Sequence, residues 1–157
     1  MNENEYTSSQ ITFPSGTCLH DIFMREVTRC PNATAIIFGS QSMTYAELDR
    51  RSDSLAKQLL LLGIQTEDFV AIYLERSFEM IVGIFGILKA GGAYVPIDVD
   101  YPKDRMDFMI QDSQAKVILT QRHLAQNLPT SNTQIITLDD DPEISNQKMS
   151  HRATLPT

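Results

Sequence analysis

Few residues in this chain have types and spacing that could do chemistry. Asp98, Asp100 and Asp104 stand close enough together to hold a cation. A calcium loop of that kind also needs a central glycine and a terminal glutamate, and neither is present. The competing reading is electrostatic: Asp100 and Asp104 flank Pro102, which opens a helix, and carboxylates favour a helix's positive end. Asp98 is then expected to pair with Arg105. Pro14-Ser15-Gly16-Thr17 has the small residues of a phosphate loop, but it lacks the lysine and the helix start at fixed spacing, and it reads as a turn. Gly91-Gly92 follows an apolar helix instead of opening one, which fits a helix cap and not a dinucleotide fingerprint. Asp139-Asp140-Asp141 closes a strand and reads as a solvated charge run.

The other chemically able side chains are scattered. His20, His123 and His151 show no HxxH or HExxH spacing, and no serine sits in a G-x-S-x-G elbow. Cys18 and Cys30 lie at the two ends of a predicted helix, roughly 18 Å apart at helical rise, beyond the reach of a disulfide. Neither has a CxxC partner, so both are expected as reduced thiols in a cytoplasmic protein. Spacing alone assembles no catalytic residue, no cofactor-binding residue and no metal site.

The elements that must position these residues are well punctuated. Leu19, Ile22, Phe23 and Val27 give a helix from Leu19 to about Arg29, stopped by Pro31. Ala33 to Phe38 reads as a strand, followed by a turn at Gly39-Ser40-Gln41-Ser42 into a second short strand. Thr44 and Glu47 form a capping box for a helix whose buried stripe is Tyr45, Leu48, Leu55, Leu59 and Leu62, ended by Gly63. The apolar run Phe69 to Leu74 is the pattern of a strand buried on both faces. Ser77 caps a helix through Ala90 that is apolar almost all round, and Gly83 and Gly86 allow a neighbour to approach it closely. Tyr94 to Ile97 is a short strand whose Pro96 places it at an edge or bulge. Pro102, in the first turn, opens a helix to about Ser113 with Met106, Met109 and Ile110 inward. Lys116 to Thr120 and Gln134 to Leu138 are further strands, joined by a weak helix or loop. Strands alternating with helices predict an α/β fold: a layered, mostly parallel sheet with helices on both faces.

Composition excludes several classes. The 157 residues are 42% hydrophobic and 21% charged, one domain's worth of globular chain. A net charge of -7 with no basic run argues against nucleic acid as the partner. The apolar stretch Met80 to Leu88 is far short of the roughly 20 residues of a membrane span. The acidic start Met1-Asn2-Glu3-Asn4-Glu5 is no signal peptide. The expected organisation is a flexible arm over 1–17, an α/β subdomain over 18–141 and a polar tail over 142–157.

One stretch carries more information than any cluster above. Leu88-Lys89-Ala90-Gly91-Gly92-Ala93-Tyr94-Val95-Pro96-Ile97-Asp98 closely resembles the second core motif of the amino-acid adenylation domains of nonribosomal peptide synthetases. Leu19-His20-Asp21-Ile22-Phe23 and Arg29-Cys30-Pro31-Asn32-Ala33-Thr34-Ala35 resemble that family's opening helix and strand. Met43-Thr44-Tyr45-Ala46-Glu47-Leu48 is similar to its first core motif, and Leu74 to Val82 to the lead into the second. Tyr101-Pro102 and Arg105 continue the pattern. The resemblance covers roughly residues 17–140, and Tyr94 to Asp98 resembles the amino-acid-activating branch more than acyl-CoA synthetases or luciferases.

The resemblance implies the first α/β subdomain of an enzyme that uses ATP and Mg2+ to make aminoacyl-adenylates. It also implies that these residues alone are inactive. The family's Ser/Thr/Gly-rich phosphate loop ending in Lys-Gly, its substrate-amine aspartate, its adenine and ribose motifs and its small-domain lysine all belong to other segments, so no cofactor is expected in this piece. One binding role carries over. The segment holding Lys89, Ala93, Tyr94, Pro96, Asp98, Tyr101, Pro102 and Arg105 lies where family members bind MbtH-like helper proteins. Other expected partners are the rest of the adenylation domain, a complementing chain, or a second copy held through exposed apolar surface. The short arm before the first helix predicts no preceding condensation domain in this chain. The final residues Met149 to Thr157 leave the pattern, as a truncated gene, a frameshift or an excised piece would. A degenerate remnant is the remaining alternative.

Overall fold

Thr44 and Ser77 each start a helix by accepting a backbone N–H three residues on, from Glu47 (3.2 Å) and Met80 (3.3 Å). The computed structural model describes residues 18–129 and 133–140, so the turn expected at 14–17, the arm over 1–17, the tail over 142–157, Asp141 and His151 lie outside the described residues. The elements are α1 (Leu19–Arg29), β1 (Thr34–Phe38), β2 (Gln41–Thr44), α2 (Tyr45–Leu61), β3 (Phe69–Tyr73), α3 (Phe78–Lys89), β4 (Ala93–Pro96), α4 (Lys103–Ser113), β5 (Val117–Thr120), α5 (Arg122–Ala125) and β6 (Gln134–Thr137).

The predicted α/β architecture is present. β4, β3, β5 and β6 form one parallel sheet in that order. β1 and β2 stand apart as an antiparallel hairpin with an irregularity between Thr34 and Ile36. Successive strand residues point to opposite faces. Val70, Ile72 and Leu74 therefore join Val117 and Leu119 in a core with α1, α2 and α3, while Ala71, Tyr73 and Ile118 join α4 and α5 on the other face.

α2 and α3 end alike. Gly63 and Gly91 take φ of 86° and 82°, a conformation glycine adopts without strain. Gly63 N–H donates to Leu60 O and Ile64 N–H to Leu59 O, while Gly91 and Gly92 donate in the same way to Leu88 and Ile87. Both ends are Schellman motifs. Between these two helices the contact is close: a methyl group built on Gly86 would lie 2.7 Å from Leu55 Cδ2.

Several local expectations need correction. Only half of the capping box forms at α2. The Glu47 carboxylate instead meets Arg50 (3.0 Å) and Arg51 (2.6 Å), charge-assisted bonds that outcompete a single backbone N–H. The buried stripe of α2 is Leu48, Ser52, Leu55, Ala56 and Leu59, with Tyr45 half-buried against the same core as expected and Arg51 buried beside it, whereas Leu62 is the exposed C-cap past the last turn. The turn between the hairpin strands is Gly39-Ser40, since Gln41 already pairs with Phe38. Pro102 is the N-cap residue of α4 and not its first turn, because its ψ of 145° is extended. The apolar surround of α3 is covered only in part; Ile81, Ile84, Phe85 and Leu88 are half-buried.

Candidate functional site

Counted from β3 in chain order, the sheet reads 2-1-3-4. In open α/β sheets of this winding, ligands bind beyond the carboxyl ends of the strands, near the point where the order reverses. That point lies between β3 and β5. There Glu75 N–H donates to Gln121 Oε1 (3.1 Å), and His123 Nε2 lies 3.3 Å from Glu75 Oε1. Side chains thus close the switch point itself.

The open space lies beside it, over β3 and β4. It is a groove of about 560 Å³ with Ile72 and Leu74 as floor and Met80 and Ile84 of α3 as one wall. Tyr94 and Pro96 of β4 and the segment Ile97 to Tyr101 form the other. Glu75, Arg76, Asp98 and Asp100 make its polar rim. A smaller groove of about 320 Å³ reaches Tyr73, Lys103 and Asn127 and shares Val99 and Tyr101 with the first, so Tyr101 stands between the two.

Of the residues singled out from sequence, Tyr94, Pro96, Asp98 and Tyr101 line the larger groove. Pro102 follows Tyr101, and Ala93 is half-buried at the start of β4. Arg105 lies over the Tyr101 ring, 4.1 Å from its centroid. The expected Asp98–Arg105 pair does not form. Asp98 Oδ1 instead accepts from Asp100 N (3.0 Å), a local turn that holds its carboxylate away from α4. Lys89 is separate from the groove. Its side chain is 10% exposed, with Nζ 2.5 Å from Asp49 Oδ1 and 2.6 Å from Asp53 Oδ1. It also sits 5.5 Å from the centre of the Phe23 ring.

Asp139 and Asp140 of the charge run after β6 are both engaged. Asp139 accepts from Arg122 N (2.9 Å), holding the start of α5, and Asp140 pairs with the Arg122 guanidinium and accepts from Thr137 Oγ1. The Arg122 and Thr137 bonds hold the Asp140 carboxyl below its ordinary range, and the Lys116 ammonium and Gln65 N–H do the same for Asp68. Burial pushes Glu47 up, but Arg50 and Arg51 outweigh it and leave that carboxyl lowered.

Both thiols are free. Sequence spacing missed that the ligand atoms of Cys18, His20 and Asp21 lie within 4.8 Å of one another. The three sit at the exposed start of α1, where the helix dipole disfavours a cation, and Asp21 is already engaged by Cys18 N–H (2.9 Å). Sequence reasoning also missed the Lys89 cluster, whose partners lie 40 and 36 positions away. No helix among the described residues is long and apolar enough to cross a membrane.

Sheet order, edge proline and groove together define a doubly wound α/β domain open at the carboxyl ends of its strands. The chain belongs to the family of AMP-binding enzymes, which matches residues 23–156. It is 41% identical over 150 residues to a linear gramicidin synthase of Brevibacillus parabrevis, covering 96% of this chain and 2% of that one. It is 40% identical to tyrocidine synthase 1 of the same organism over 74% of this chain and 11% of that one. The nonribosomal peptide synthetase FmoA3, solved with AMPPNP, superposes with a TM-score of 0.77 at 30% identity, covering 85% of this chain and 14% of that one. The N-terminal subdomain of NpsA from Klebsiella oxytoca gives 0.67 at 25% identity, over 76% and 31%. The chain therefore resembles the N-terminal part of peptide-synthetase adenylation domains and spans only a small fraction of these relatives.

Proposed function

We propose that this chain is part of an amino-acid-activating adenylation domain, and that its residues form scaffold and wall, not the reacting centre. The observation that carries this reading is the 41% identity to a gramicidin synthase over 96% of the chain. It includes the stretch from Leu88 to Asp98 with its twin-glycine helix end and edge proline.

The residues present do not fit ATP. The groove rim sets Glu75, Asp98 and Asp100 against the single cation Arg76, so a polyphosphate would meet like charge. The first turn of α3, beside it, already has a backbone donor satisfied by Ser77. The sequence contains no Lys-Gly pair. ATP and Mg2+ are accordingly assigned to other segments of such a domain. The purified 157-residue chain should show no amino-acid-dependent ATP–pyrophosphate exchange; clear exchange would refute the assignment.

A second role is compatible with the first. Tyr94, Pro96, Asp98 and Tyr101 converge on one groove, which favours helper-protein binding through the segment that also holds Ala93, Pro102 and Arg105. Co-purification with an MbtH-like protein should weaken on Tyr94→Ala or Tyr101→Ala. Lys89, bound internally, should contribute only through stability.

A further inference from the structure

The groove over β3 and β4 carries opposite charges that do not meet. Arg76 and Asp100 both line it, yet neither side chain has a hydrogen-bond or ion-pair partner among the described residues. Asp98 Oδ1 accepts from Asp100 N–H (3.0 Å), which leaves its second oxygen. Glu75 is turned to His123, 3.3 Å from Nε2. The rim thus offers one guanidinium and, apart from it, two neighbouring carboxylates.

The floor is apolar. Ile72 and Leu74 are each 3% exposed, and Met80 and Ile84 are half-buried. The space of about 560 Å³ falls within the roughly 300–1,000 Å³ of small-ligand sites and is more than one amino acid fills. The wall adds backbone groups. Ala93 N–H donates to Asp68 O and Ile97 N–H to Ile72 O, and alternate residues of a parallel strand bond to the same side. Tyr94 N–H and C=O therefore face away from β3. One donor and one acceptor are the complement of a peptide bond.

We propose that this groove binds a short apolar peptide, of dipeptide size, by its two free ends. Arg76 takes the C-terminal carboxylate, which a guanidinium holds through two parallel N–H bonds. Asp98 and Asp100 take the N-terminal ammonium, and the floor takes the apolar side chains. A zwitterion of this kind uses both signs of charge on the rim, whereas a simple cation would be repelled by Arg76 and a simple anion by the carboxylates. A free amino acid carries both charges on one carbon and has one side chain, so it spans the rim and covers the floor less well. The inference goes beyond the functional reading above and does not depend on it.

The test is an amide NMR titration of the 157-residue chain with leucyl-leucine. Saturable shifts should appear at Arg76, Ile84, Tyr94 and Asp100. N-acetyl-leucyl-leucine, leucyl-leucine amide and free leucine should each bind at least tenfold more weakly. Arg76→Gln should remove the preference for the free carboxylate, and the double variant Asp98→Asn/Asp100→Asn the preference for the free amine. All three positions are exposed, so these variants should keep the fold, which the unchanged spectrum of the remaining residues checks. No saturable shift at about 10 mM peptide would overturn the proposal. Equal binding of either capped form would overturn it too, leaving an apolar groove without end recognition. So would equal binding of leucine, or shifts confined to residues away from the groove.

Discussion

The Lys89 ammonium lies 2.5 Å from Asp49 Oδ1, joining the last turn of α3 to the first half of α2. Asp53, one turn further along α2, receives the same ammonium. Removing Lys89 leaves Asp49 in a mostly buried site without its cation. Lys89→Ala should cost about 2 kcal/mol in urea unfolding, and Asp53→Asn, at the half-exposed partner, less than about 1 kcal/mol. A double-mutant cycle between Lys89 and Asp49 should return a clear coupling energy.

The two glycines of α3 should respond in opposite ways to alanine. At Gly86 the new methyl meets Cδ2, Cγ and Cβ of fully buried Leu55 at 2.7, 2.8 and 3.0 Å, and Leu55 has no room to withdraw. Overpacking of about 1–3 kcal/mol should outweigh a helix-propensity gain of about 1 kcal/mol. At Gly83 the nearest atom is Leu119 Cδ1 at 3.3 Å, the tip of a flexible side chain. Gly86→Ala should lower the melting temperature; Gly83→Ala should leave it unchanged or raise it slightly.

Arg105 provides a test of the geometry at the groove. Stacked on Tyr101, it should lose less than about 1 kcal/mol on Arg105→Ala, and Tyr101→Leu should produce a similar loss without adding to it. Asp98→Asn should not reproduce that loss. Equal effects at Asp98 and Arg105 in thermal melts would restore the ion pair expected from sequence.

Acid should destabilise the chain through named carboxylates. Asp68, Asp140 and Glu47 all have lowered folded pKa values, so the folded state binds fewer protons than the unfolded state at mildly acidic pH. Their contribution is complete above the unfolded carboxylate range, near pH 4, and is lost as pH falls through the folded values. Melting temperature should therefore drop between about pH 5 and pH 2. Asp68→Asn, which removes the Lys116 partner, should flatten part of that slope.

What could be read from sequence follows the range of the interaction. Thr44, Ser77, Gly63 and Gly91 mark helix ends through bonds to residues three to five positions away, and each does so in the structure. Pro96 marks an edge because a proline cannot donate, whatever its neighbours. The role of Asp139 was hidden, because the N–H it holds belongs to Arg122, 17 positions earlier. The burial of Arg51 to 1% exposure was hidden too, since a guanidinium reads as surface unless a partner such as Glu47 is known to pair with it. At the candidate site, Tyr94, Pro96, Asp98 and Tyr101 fall on one short stretch, and their grouping was visible. The floor of Ile72, Leu74, Met80 and Ile84 looked like ordinary core, because alternation and helical period show which residues turn inward but not where the packing leaves a gap.

β3 sends Val70 and Ile72 to one core and Ala71 and Tyr73 to the other, Leu74 just past its end rejoins the first, and β3 is an inner strand with β4 on one side and β5 on the other. Neither helical layer can melt away without stripping half of this strand's contacts. With β5 sending Val117 and Leu119 to the first core and Ile118 to the second, the two layers are tied into a single cooperative unit through the inner strands, and partial unfolding by either face alone is penalised there.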